Sequence, residues 1–126
     1  MDEDISVWIT QALRDFEVAK KNALNQDYYV SVFFCQQSIE KSLKGLFLQE
    51  QKESSGPTHS LLYLAKNTGV PDSYLSFLRK ITPEFVNTRY PDASYGIPAE
   101  LYDEEIAQEY IQKTEELLTW IKSKLK

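Results

Sequence analysis

The sequence predicts an all-α fold, an up-down antiparallel bundle of three long helices with one or two short ones. Three observations predict it. Glycine is scarce, at 4 in 126 residues. Strand-like alternation between turn signals is nearly absent. Apolar residues recur at steps of three and four along most of the chain. A length of 126 residues suits one domain spanning 1–126, without repeats or linkers, and hides about two-thirds of the unfolded surface.

The first helix is expected from about Asp4 to Asn25, where Ile5, Trp8, Ala12, Phe16, Ala19 and Ala23 share one face. Asn25-Gln26-Asp27 ends it, and Asp27 is the expected N-cap of the next helix. That second helix runs from Tyr28 to about Gln51. Tyr29, Val32, Phe33, Cys35, Ile39, Leu43, Leu46 and Phe47 fill a wide apolar arc on it, and Gln36 and Glu40 fall inside the arc. Nearly opposite lies a stripe of small residues, Ser31, Ser38, Ser42 and Gly45, which would let another backbone approach closely. A helix of this kind is covered on two sides, so it is central or lies at an interface.

Ser54-Ser55-Gly56-Pro57 reads as a turn, with Thr58 capping a short helix that carries Leu61, Leu62, Leu64 and Ala65. Gly69 fits the position after that helix, and Pro71 prevents its continuation. Asp72 is the expected cap of a fourth helix through Leu75, Leu78 and Ile81. Pro83 either starts a new turn with Thr82 as its cap or kinks the helix. After Pro91, the residues Asp92, Ser94 and Gly96 read as loop. The last helix, roughly Asp103 to Leu125, turns Ile106, Tyr110, Leu117, Ile121 and Leu125 inward and Glu105, Glu109, Gln112 and Glu116 outward. Its acidic start and lysine-rich end suit the helix dipole.

Composition narrows the function classes. A net charge of −5 makes the chain a poor general binder of phosphate backbones, so no DNA partner is expected, and an anionic membrane surface is disfavoured likewise. No apolar run approaches the roughly 20 residues that span a bilayer. Met1-Asp2-Glu3-Asp4 lacks the basic flank of a signal peptide. With Cys35 alone, no intramolecular disulfide forms, which suits a reducing, cytoplasmic location. One Cys and one His, Cys35 and His59, do not make the usual nitrogen–sulfur zinc cage, so neither metal nor cofactor is expected.

Three groups of residues carry potential chemistry. Gln36 and Glu40, placed among apolar neighbours, form a structural polar cluster; the carboxylate needs a distant partner, for which Arg89 is the candidate. Lys41 and Lys44 read as exposed, with Glu40 and Lys44 paired one helical turn apart. His59, next to the capping Thr58, reads as a local hydrogen-bonding residue. In Thr88-Arg89-Tyr90-Pro91 the proline pushes Tyr90 out of the helical region. An arginine beside Tyr90 and Tyr95 is also a usual means of holding a phosphate and stacking a base.

Four pieces in order, Trp8 to Ala19 with Ala12 and Asp15, Phe34 to Lys44, Pro57-Thr58-His59-Ser60-Leu61, and Asn87-Thr88-Arg89-Tyr90-Pro91-Asp92, resemble a HEPN domain, the helical family named for its occurrence in higher eukaryotes and prokaryotes. The resemblance covers nearly the whole chain. It implies an up-down bundle of four or five helices, usually a homodimer, often encoded beside a minimal nucleotidyltransferase as a toxin–antitoxin-like pair. Active members are metal-independent ribonucleases with an Arg followed a few residues later by a His, two copies meeting at the dimer cleft. Arg89 matches that Arg. Ser94, Tyr95 and Gly96 stand where the His belongs, and none is a general base near neutral pH as imidazole is.

The expected function is therefore a homodimeric, non-catalytic module. It presents Arg89 and Tyr90, with Lys41 or Lys44, to a nucleotide, to RNA or to a nucleotidyltransferase partner. One alternative is a metal-independent ribonuclease in which Arg89 works with a displaced His59 or with Tyr95. Another is a structural dimerisation scaffold, in which the wide apolar second helix and its Ser/Gly stripe serve only oligomerisation.

Overall fold

The structure, a computed structural model, describes residues 2–126 and contains no strand among them. The long helices are α1 (Glu3–Leu24), α2 (Tyr28–Gln51) and α7 (Glu104–Lys124). Between the last two lie α3 (Leu61–Lys66), α4 (Leu75–Ile81) entered through a 3-10 turn at Asp72–Tyr74, α5 (Glu84–Asn87) and α6 (Pro91–Ser94). A further 3-10 turn, Pro98–Glu100, precedes α7. No helix among the described residues is long and apolar enough to cross a membrane.

The centre of the molecule is α2. Its apolar arc, Val32, Cys35, Ile39, Leu43 and Leu46, is wholly buried against Leu61, Leu64, Leu78, Ile81, Leu117 and Ile121 from α3, α4 and α7. The opposite stripe is covered by α1, which returns antiparallel after the turn at Gln26 (φ 66°). Ser38 Oγ donates to the Ala12 carbonyl at 2.7 Å. A Cβ at Gly45 would lie 2.9 Å from Ile9 Cδ1 and 3.2 Å from Trp8 Cβ. The backbone approach expected of the stripe is thus made within the chain, and α1 leaves no room there for a second copy. The stripe is therefore not a surface for a second copy.

At the other end, Gln49 Nε2 donates to the Lys124 carbonyl at 2.8 Å, and its Oε1 accepts from Lys126 N at 2.9 Å. The ends of α2 and α7 therefore lie together, so these two helices run parallel. The short helices α3 to α6 make the return leg, and the up-down order holds with a broken third leg.

Several expected caps differ in detail. Asp27 makes no side-chain cap bond, because its backbone (φ −92°, ψ 68°) departs from the extended shape that turns an N-cap carboxylate over the first turn. Ser60, not Thr58, caps α3, accepting from Tyr63 N at 3.2 Å, while Thr58 Oγ1 accepts from Ser60 N. This later start leaves His59 outside the helix, where its ring reaches α2. Asp72 begins a 3-10 turn without a cap bond, and Thr82 Oγ1 donates backward to the Leu78 carbonyl. Pro83 starts the new turn that becomes α5. Beyond Tyr90, which is extended (φ −124°, ψ 117°), Pro91 opens the one-turn helix α6 where loop was expected. Asp103, by contrast, caps α7 as a helix-start carboxylate should, accepting from Ile106 N at 2.9 Å.

Candidate functional site

One end of the bundle brings together α2, the segment before α3, and the exit of α5. From α2 comes Glu40, 4% exposed, whose Oε1 lies 3.2 Å from the donating Gln36 Nε2. Gln36 in turn accepts from Gln37 Nε2 at 2.7 Å. The buried carboxylate also pairs with Lys44 across 3.5 Å, a lysine only 8% exposed whose ammonium sits 5.7 Å from the Trp8 ring. The Gln36–Glu40 polar cluster is thus a hydrogen-bonded chain inside the apolar arc.

Its outward link is His59, whose Nδ1 lies 2.8 Å from Glu40 Oε1. A carboxylate only accepts, so in this pairing Nδ1 carries the hydrogen, and Nε2 keeps the lone pair when the ring is neutral. The side chain is about half exposed. The ring stacks on Phe85, centroids 4.0 Å apart and planes 22° from parallel.

The same Phe85 carries Arg89. One turn later on the same helical face, its guanidinium carbon lies 4.5 Å from the Phe85 centroid, 5.2 Å from that of Phe33 and 5.3 Å from that of Tyr90. Arg89 Nε donates to the Phe85 carbonyl at 2.7 Å. Arg89 is exposed and forms no ion pair among the described residues. Its two terminal amino groups keep their donors, fixed in direction by three rings and a carbonyl.

Arg89 is accordingly not the partner of Glu40. Lys44 and His59 already surround that carboxylate, while the guanidinium is held on the outer side of Phe85. His59 and Arg89 both pack on the Phe85 ring, at 4.0 Å and 4.5 Å from its centroid. Lys41 is tied to Asp15, 3% exposed, by a 2.6 Å ion pair, and Lys44 is buried on Glu40. The two lysines expected on the surface are therefore engaged inside the α1–α2 seam. Tyr95 lines a different cleft, on the Glu84 side of α5.

Phe33 and Phe85 are functional-site residues that the sequence does not single out. Phe85 precedes Arg89 by one helical turn, a spacing that puts two side chains on one face and is legible. Phe33 is legible only as part of the buried arc; its half-exposed edge depends on where α5 docks.

A family model described as the HEPN domain matches residues 5–124. A protein of Methanocaldococcus jannaschii named "Putative toxin MJ1304" is 30% identical over 95% of this chain and 87% of its own length. Two crystal structures share the fold. That of TT1696 from Thermus thermophilus superposes with a TM-score of 0.88 at 27% identity, covering 98% of this chain and all of that one. That of ST0689, described as an archaeal HEPN homologue, gives 0.81 at 36% identity over the full length of both.

Proposed function

This chain belongs to the HEPN domain family, and from that premise we propose that it is a toxin-like module that binds nucleotide phosphate or RNA at Arg89. The observation that carries this reading is the unpaired guanidinium held over Phe33, Phe85 and Tyr90. Its free amino groups suit a phosphate oxygen pair, and the exposed Tyr90 ring suits a stacked base. Lys41 and Lys44, being committed to Asp15 and Glu40, are left out of the binding set. The similarity to a protein named "Putative toxin" supports a toxin–antitoxin-like setting; a nucleotidyltransferase partner and a homodimeric working form are part of the proposal and follow from the family resemblance alone. Fluorescence anisotropy with short labelled RNAs and calorimetry with nucleotides test the binding. Arg89→Ala should weaken it about tenfold or more, as loss of a charge-assisted pair does. Binding indifferent to that change would sink the proposal. Light scattering at micromolar concentration should give twice the monomer mass.

A second reading is favoured by a specific contact, the 2.8 Å approach of His59 Nδ1 to Glu40 on the ring that also carries Arg89. A carboxylate-oriented imidazole that shares an aromatic ring with a guanidinium can take a proton from an RNA hydroxyl while the cation steadies the phosphate. RNA incubated with the protein and excess chelator should then be cut, and His59→Ala and Arg89→Ala should each abolish cutting. Intact RNA with the unaltered protein leaves binding alone.

A further inference from the structure

Around α5, residues 84 and 87 project roughly 150° away from 85 and 89, at about 100° per residue. On that far side a cleft of about 540 Å³ opens between α5, α6 and the start of α7. Its floor holds Glu84, 7% exposed, whose Oε1 accepts from the Tyr102 hydroxyl at 2.8 Å. No Lys, Arg or His forms an ion pair with this carboxylate among the described residues. The cation lining the cleft, Lys80, is bound to Glu109 at 2.7 Å. Tyr102 and Tyr110 line the cleft, Tyr110 only 4% exposed and with the Lys80 ammonium 5.5 Å from its ring centroid. Burial first, and then the hydrogen bonding and charge of Glu84, push both phenols well above their ordinary 10.0. With Lys80 held by Glu109, no cation lining the cleft is paired with Glu84 among the described residues.

We propose that this cleft receives an arginine side chain of a protein partner, pairing its guanidinium with Glu84 beside the Tyr102 ring. A carboxylate drawn out of water without a cation is costly, and a guanidinium supplies both the charge and a planar face for Tyr102. A phosphate would be repelled here, so the two sides of α5 are divided by charge, anions toward Arg89 and cations toward Glu84. The rim points to a protein rather than a free amine. Tyr95 is 96% exposed and Leu101 45%, with Ile97 beside them at 57%. A small cation would leave these side chains in water, whereas a protein surface around its arginine would cover them. This inference does not depend on nucleotide binding at Arg89.

The test is a nuclear magnetic resonance titration of the isotope-labelled full chain with N-acetylarginine methylamide, its neutral citrulline analogue, and a blocked leucine-arginine-leucine peptide. Arginine should give saturable shifts at Glu84, Tyr102 and Tyr110, and citrulline none. Glu84→Gln should weaken the arginine probe about tenfold or more, as expected for a charge-assisted contact. The peptide should bind about fivefold tighter than the single residue, and Tyr95→Ala should remove that advantage by stripping the rim of its largest apolar surface. Shifts that map elsewhere, equal binding of citrulline, or affinity unchanged in Glu84→Gln would overturn the site. A peptide no tighter than arginine alone would overturn the protein partner. Should Glu84→Gln fail to fold by circular dichroism, the shift map and the citrulline comparison on the unaltered chain still decide.

Discussion

Glu40 and Arg89 show at the scale of single residues how burial separates structure from binding. Glu40 is nearly out of water and holds Lys44, Gln36 and His59 around it. Replacing it by Ala would leave Lys44 buried without its counter-charge. Loss of one member of a buried pair costs about 3 kcal/mol, so Glu40→Ala should show a markedly lower urea midpoint. Arg89 contributes one local hydrogen bond and ring contacts at the surface. Its replacement by Ala should shift stability by no more than about 0.5 kcal/mol, the usual range for surface substitutions. The two variants measured side by side by urea denaturation discriminate sharply. A large stability loss in Arg89→Ala would mean that the guanidinium is a structural clamp and that any loss of RNA binding is indirect.

Among the elements, the α1–α2 seam depends on the smallness of one face. Gly45 lies where Ile9 and Trp8 come closest, and Ser38 commits its hydroxyl to the α1 backbone. Gly45→Val should force the helices apart and cost about 2 kcal/mol, an overpacking penalty that the modest helix preference of valine does not offset. Thermal unfolding of the variant checks this, and an unchanged midpoint would show that the Ile9 side chain swings clear. The short helices follow a different rule. Pro71, Pro83, Pro91 and Pro98 interrupt the return leg, each at or just before a new turn. The chain is thereby cut into pieces short enough to place Phe85 and Arg89 on one side of α5 and Glu84 on the other.

For the whole molecule, the buried ionisable groups fix a direction of pH dependence. Burial raises the Cys35 thiol from 9.0 to about 12, opposed only in part by the Thr114 hydroxyl. Between those values the folded chain keeps a proton that the unfolded chain has released. The contribution of this thiol is therefore fully present below about pH 9 and is lost as pH rises toward 12. Tyr102 and Tyr110, raised in the same sense, add to the fall above their ordinary 10.0. Urea denaturation at a series of alkaline pH values should show this slope. Cys35→Ala should start from a lower stability, because it empties part of the core, yet lose less per pH unit between about 9 and 12. An identical slope in both proteins would assign the alkaline loss to the tyrosines alone.

Local sequence is enough for the helical class, the three long helices to within a residue or so, the buried faces of α2 and α7, and the presence of Gln36 and Glu40 inside the core arc. Each of these follows from local rules, a 3.6-residue period and the chemistry of helix ends, that act within a few turns of chain. The capping residues of the short helices are less legible, because Thr58, Ser60 and Asp72 offer competing oxygens over a few positions and packing chooses among them. Who meets whom is settled by tertiary packing alone. Glu40 could have taken Arg89 or His59; α3 starts late enough to leave His59 free, and that ring reaches the carboxylate first. The Ser/Gly stripe could have met another copy or the chain's own first helix, and the tight turn at Gln26 delivered α1 to it. His59 and Arg89, thirty residues apart in sequence, share Phe85 only because the return leg docks α5 against α2. Such pairings arise from the balance of burial and reach across the whole fold, which no window of sequence contains.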